Sequence, residues 1–258
     1  MIKSSYELVR VFGIPIRLDF SLIILLFLLV VQYGNPLQGL SAGIALLLSI
    51  TLHELGHSLA AMAFGCRVRD ITLMMMGGCA TLLSMPRKAW QEFLVAAAGP
   101  AVSLALALFG LLTPVRNTFG VFLYYQIGVL NLVLFVFNLL PAFPMDGGRI
   151  LRAFLQQFFM SRVKATWVAS RIGRVIAVLM ALSVVYSFLT GKAHGFMLIR
   201  LMIAYFIYQS AEREYQAVLF ESRAGGGFGG FGPPPGDEVL VSPPPYRSQH
   251  EWRDVHRL

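Results

Sequence analysis

A chain of 258 residues that is 57% apolar, 13% charged and formally +8 is not a soluble globule. Soluble domains carry about 25% charged residues, and the mean hydropathy here is +0.68. The 21 Lys and Arg do not gather into one basic patch of the kind that binds nucleic acid; they fall between apolar runs, the pattern of membrane topology.

A spanning helix needs roughly 20 mostly apolar residues. Residues 18–33 approach that length but carry Asp19, and their basic flank of Lys3, Arg10 and Arg17 also suits a signal peptide. No small-x-small cleavage site follows, so a retained first span is expected. Further spans are expected over 40–64, 93–112, 121–140, 172–189 and 194–210, making six. Between the second and third, residues 71–82 are apolar and helix-weak at Gly77 and Gly78. They read either as a β-like membrane-associated loop with an open strand edge or as an ordinary interfacial loop. Cys66 and Cys79 are too few for a disulfide framework.

Charge orients these spans. Lys3, Arg10 and Arg17 precede the first; Arg67, Arg69, Arg87 and Lys88 follow the second; Arg149, Arg152, Arg162, Lys164 and Arg171 follow the fourth. The alternate loops hold Arg116 and Lys192. The positive-inside bias then puts both termini in the cytoplasm, and an even number of spans agrees. The expected organisation is an all-α polytopic membrane protein of a bacterial-type cell membrane. It has a cytoplasmic N-terminal segment (1–17), a six-span domain (18–215) and a Gly/Pro-rich cytoplasmic tail (216–258). Runs such as Gly225-Gly226-Gly227 and Pro243-Pro244-Pro245 bury too little apolar surface to offset their ordering entropy, so the tail is expected to be mostly disordered.

The second span contains His53-Glu54-Leu55-Gly56-His57. On a helix, positions i and i+4 share a face about 6 Å apart along the axis. Two imidazoles so placed can reach one zinc ion, and Glu54 beside them can act as general base. Ionisable groups at membrane depth are costly and mark function. Histidines that merely join helices by hydrogen bonds are the plainer reading, but two His and a Glu in register fit it poorly.

Two neutral imidazoles leave a zinc ion's +2 charge uncompensated, so a carboxylate is expected as a third ligand. The membrane-depth candidates are Asp19, Glu92 and Asp146. Asp146 stands out because it follows Pro141 and Pro144 and precedes Gly147 and Gly148. Such irregular backbone is tolerated at depth only where protein or a water-filled cavity surrounds it. A helix-ending turn at the interface would use the same residues. Topology places Asp146 on the cytoplasmic side, the same side as His53 and His57.

The two motifs resemble those of the site-2 proteases, zinc metalloproteases that cut within the membrane. That family joins an H-E-x-x-H helix, here 53–57, to a later N-x-x-P-x-x-P-x-D-G, here 138–147. The likeness extends over about residues 6–215 and is strongest to the branch that includes the sporulation-factor proteases. Gly77-Gly78 and residues 96–100 match further landmarks. The resemblance implies His53, His57 and Asp146 as ligands of one zinc ion per chain, Glu54 as the catalytic acid/base, and Asn138 near the substrate or the oxyanion. Met145 stands where leucine is commoner. Neither the CBS pair frequent in that branch nor a PDZ insertion is expected.

The function expected is hydrolysis of peptide bonds in membrane-embedded proteins near the cytoplasmic leaflet, as in regulated intramembrane proteolysis. The partners are a transmembrane or membrane-associated substrate and the lipid bilayer, with no nucleic acid. The oligomeric state stays open, a homodimer included. A divalent-metal transporter using the same His/Asp ligands is the alternative. It is disfavoured because residues 41–50, the outer half of span two, carry no ionisable group and no repeat symmetry is visible. Ala96-Ala97-Ala98-Gly99 reads as a face for close helix packing, and Met74-Met75-Met76 as adaptable apolar surface.

Overall fold

The computed structural model describes residues 5–75, 77–83, 88–191 and 197–226. Near the N-terminus, Ile14, Ile16 and Leu18 alternate with polar or small neighbours, the period of a half-buried strand. Strands β1 (Ser5–Val11) and β2 (Ile14–Asp19) pair antiparallel through a two-residue turn. Phe12 (φ 51°) and Gly13 (φ 80°) both take left-handed backbone there, which matches the twist of the flanking strands. Strands β3 (Val68–Met74) and β4 (Gly77–Leu82) form a second hairpin, and β2 pairs parallel with β3. The result is one sheet in the order β1-β2-β3-β4.

One expectation changes here: residues 5–19 supply two of the four strands, so the protein is helical with a small sheet rather than all-α. The β-like reading of the apolar stretch 71–82 matches the second hairpin. Both free cysteines, buried Cys66 and exposed Cys79, lie beside or in this hairpin.

A parallel pair needs a crossover connection, and β2 reaches β3 through α1 (Ser21–Tyr33) and α2 (Pro36–Ala63). Gly34 ends α1 with left-handed φ. Asn35 then caps α2 by accepting from Leu37 N–H, and Pro36 opens the helix. The helical hairpin therefore returns the chain to the sheet. Leu55 of α2 joins Ile14, Ile16, Leu22, Ile71 and Leu73 in one buried cluster. That cluster fixes the roll of α2, and so the direction of the two histidines flanking Leu55.

The remaining helices are α3 (Ala89–Leu112), α4 (Thr118–Phe122), α5 (Leu130–Asn138), α6 (Asp146–Phe158), α7 (Arg162–Leu189) and α8 (Met197–Gly226). A π-helical segment, Leu123–Val129, joins α4 to α5 in a single rod. Four stretches among the described residues are long and apolar enough to cross a membrane: Pro36–Ala63, Ala89–Leu112, Thr118–Asn138 and Arg162–Leu189. Ser21–Tyr33 is apolar but shorter, because Leu18 and Asp19 of the expected first span belong to β2. The expected span 172–189 is the second part of α7. Helix α8 is continuous across the expected 215/216 boundary; His194 and residues 227–258 lie outside the described residues. Helix α6, which begins at Asp146, was not expected.

Small residues set the closest approaches. A Cβ on Gly110 of α3 would lie 2.2 Å from the Gly128 backbone nitrogen in the π-helical segment. Gly110→Val should therefore destabilise the protein by about 1–3 kcal/mol through overpacking. Leu108→Val, at a half-exposed position of the same helix, should change stability by under about 0.5 kcal/mol. Thermal unfolding in detergent, followed by circular dichroism, checks the pair.

Candidate metal centre

Helix α2 presents His53 and His57 one turn apart, and the first residue of α6 brings Asp146 between them. His53 Nε2 and His57 Nε2 are 3.2 Å apart, and each is 3.1 Å from Asp146 Oδ2. All three residues are buried or nearly so. A tetrahedral ion with bonds of about 2.0–2.1 Å needs donors about 3.3 Å apart, close to this triangle.

The chemistry of the donors fits a cation as well as the spacing does. His57 Nδ1 donates to the Val95 carbonyl at 2.7 Å, which leaves Nε2 with its lone pair facing inward. His53 Nδ1 meets Ser103 Oγ at 2.9 Å, and with the hydroxyl accepting, its Nε2 faces inward in the same state. Two lone pairs and a carboxylate oxygen in mutual contact repel unless positive charge lies between them. Outer partners of this kind fix the tautomer and orientation of metal-ligating histidines.

The neighbouring backbone is shaped to this cluster. Val95, Gly99 and Ser103 recur every four residues and form one face of α3. A Cβ on Gly99 would lie 2.2 Å from His57 Nε2 and 2.7 Å from His53 Nε2. Gly99 therefore opens space at the two imidazoles themselves, which corrects its reading as helix packing alone. On the other side, Cβ atoms on Gly147 and Gly148 would strike the Leu139 and Leu140 carbonyls at 2.3 Å and the Ala142 carbonyl carbon at 2.8 Å. The paired glycines let the first turn of α6 lie on the loop that precedes it, which carries Asp146 to the histidines.

Glu54 is not in the triangle. Its Oε2 accepts from the Ala80 N–H of β4 at 3.2 Å, and Gly78 leaves room for its stem. Asn138 is not joined to the other candidates; its amide donates to the Leu134 carbonyl of its own helix at 3.0 Å. The other two carboxylates weighed as ligands are used elsewhere. Asp19 accepts from Ser21 N–H at the start of α1, and Glu92 pairs with Arg152. The sequence offers no role for Ser103 or the Val95 carbonyl beside the rings, and reads Gly99 as helix packing. Four-residue spacing of small residues in α3 was the available signal for two of them.

Comparison with known proteins gives the chain its family. The family model described as peptidase family M50 matches residues 41–116 and 115–180. The chain is similar to a zinc metalloprotease of Methanocaldococcus jannaschii, 34% identical over 84% of this chain and 62% of that one. A putative zinc metalloprotease of a Synechocystis species is 38% identical over 67% of this chain and 50% of the relative. Among solved structures, the site-2 protease from Methanocaldococcus jannaschii matches with a TM-score of 0.60 at 35% identity, covering 82% of this chain and 95% of that one. The chain thus spans 50–62% of the length of these curated relatives.

The site geometry predicts the consequences of disturbing its supports. Ser103→Ala should weaken zinc affinity about 10- to 100-fold by freeing the His53 ring, and Gly99→Ala should weaken it at least as much. Chelator competition on the purified chain measures both, with circular dichroism to verify that helix content is retained.

Proposed function

The chain belongs to peptidase family M50, and from that footing we propose that it is an intramembrane zinc metalloendopeptidase acting on membrane-embedded proteins near the cytoplasmic leaflet. The observation that carries this reading is the triangle of His53 Nε2, His57 Nε2 and Asp146 Oδ2, with Glu54 next in sequence to one ligand and outside the triangle. These three residues would hold one zinc ion. When bound, zinc supplies Lewis-acid polarisation of the scissile carbonyl and a water acidified toward a pKa of about 7.

The chain's own residues supply the rest. Glu54 takes the proton of the attacking water at its carboxylate and returns it to the leaving amine nitrogen. Asn138 turns its amide from the Leu134 carbonyl to donate to the developing oxyanion. A substrate helix hides its amides in internal hydrogen bonds, so it must be extended before attack. Strand β4 is last in the sheet order, and its Ala80 N–H points away from β3 toward Glu54. An extended substrate adding to that edge would run past the catalytic carboxylate.

We read α1 and α8 as spans beside the four long apolar stretches, giving six, with both termini cytoplasmic. The supporting feature is the charge bias between alternate loops. The lipid bilayer is then the solvent of the helices, and the sheet with the metal centre lies toward the cytoplasmic side.

Co-expression with single-span candidate substrates tests the reading. Glu54→Gln should retain zinc and lose cleavage by about 100-fold or more, while His57→Ala should lose both. Chelation should abolish cleavage and added zinc should restore it. Processing by Glu54→Gln at the wild-type rate would overturn the protease. His53-dependent zinc accumulation in reconstituted vesicles would favour transport instead.

A further inference from the structure

Arg152 is fully buried, with 0% of its surface exposed, and among the described residues no other Lys or Arg is buried. Its guanidinium makes three kinds of contact at once. Nε and Nη2 both donate to Glu92 Oε1, the former at 2.9 Å. Nη1 donates to Glu214 Oε1. The carbon of the fork lies 5.2 Å from the centre of the Phe143 ring, within cation–π range. The group therefore ties α6 to the first turn of α3, to α8, and to the loop before Asp146.

The positions of those ties matter. Phe143 is three residues before Asp146 and Arg152 six residues after it, so the clamp brackets the ligand on both sides. Phe143 is itself buried against Ala169 of α7 and Ala211 of α8. Glu92 lies three residues before Val95, on the same side of α3, and the Val95 carbonyl orients His57. One guanidinium thus links the segment carrying the carboxylate ligand to the turn that orients an imidazole ligand.

Physical chemistry says what such a group is for. Taking one cation and two carboxylates out of water is expensive, and apolar packing of equal volume often stabilises as well or better. The best-attested return on such a cluster is a single fixed arrangement rather than stability. Arginine suits this because its planar fork donates in several directions at once, which an ammonium on a flexible stem cannot match. We propose that Arg152 is a positioning residue that sets Asp146 in register with His53 and His57, with Glu92, Glu214 and Phe143 as its anchors. This rests on the metal centre of the proposed function.

The test uses the full chain purified in detergent, with Zn²⁺ and Co²⁺ as probes and Arg152→Lys, Arg152→Met and Glu214→Gln as variants. Zinc affinity is read by chelator competition, the coordination sphere by the visible absorption of bound Co²⁺, and the fold by thermal unfolding of the metal-free chain. Arg152→Lys and Arg152→Met should lower zinc affinity about 10- to 100-fold and shift or weaken the cobalt band. Glu214→Gln should move both in the same direction by a smaller factor. A purely structural Arg152 would lower the unfolding temperature while leaving the cobalt spectrum and zinc affinity at wild-type values, and that result overturns the proposal. If Arg152→Met does not fold, Arg152→Lys and Glu214→Gln decide it, and wild-type behaviour of both overturns it. Asp146→Ala is the reference. Wild-type metal binding by that variant would refute the metal centre, and the clamp with it, whereas wild-type metal binding by the clamp variants with Asp146→Ala defective refutes only the clamp.

Discussion

Three electron-pair donors from two distant parts of the chain meet at edges of 3.1–3.2 Å, His53 Nε2, His57 Nε2 and Asp146 Oδ2. Left to themselves in a low-dielectric interior, such groups would separate, because unscreened repulsion is strongest where water is excluded. Much of the surrounding structure can be understood as what holds them together. One face of α3 turns both rings inward through Val95 and Ser103 and leaves space for them at Gly99. The glycines after Asp146 let α6 begin directly on its own preceding loop.

The sheet solves a second problem. Backbone outside helices is costly near lipid unless its polar groups are paired, yet the proposed reaction needs an extended substrate beside Glu54. A small sheet built from two hairpins has β1 and β4 as its edges, and the β4 edge lies next to Glu54. The parallel contact between β2 and β3 forces the α1–α2 hairpin to begin and end at this sheet. That is why the histidines, on the returning helix, lie close to the strand edge.

Polar groups buried beyond the centre follow the same logic of arrangement. Asn131 is fully buried and donates to Ser49 Oγ at 2.8 Å, tying the α5 rod to α2 one turn before His53. Small residues of α7, Ala165, Ala169, Gly173 and Ala177, recur every four positions and are buried. Gly173 lets Ala142 of the Asp146 loop come within van der Waals contact. The loop is thereby pressed between α7 and the clamp formed by Arg152.

What could be read in advance was local. The i, i+4 spacing of His53 and His57, the carboxylate beside them and the Pro/Gly setting of Asp146 each carry their chemistry within a dozen residues. Helix length and apolar content are likewise properties of a window, so four long apolar helices were legible. What only the tertiary structure decided depends on partners far away in the chain or on atoms that side-chain identity does not encode. The Val95 carbonyl is backbone and leaves no mark in the sequence. Arg152 and Glu92 looked like a topology charge and a candidate ligand until folding joined them across 60 positions. Strands β1 and β2 are short, and the pairing of β2 with β3 lies beyond two intervening helices, so a basic N-terminal flank concealed half a sheet. Local periodicity reports which face of an element is apolar; which groups meet across those faces is settled when the elements pack.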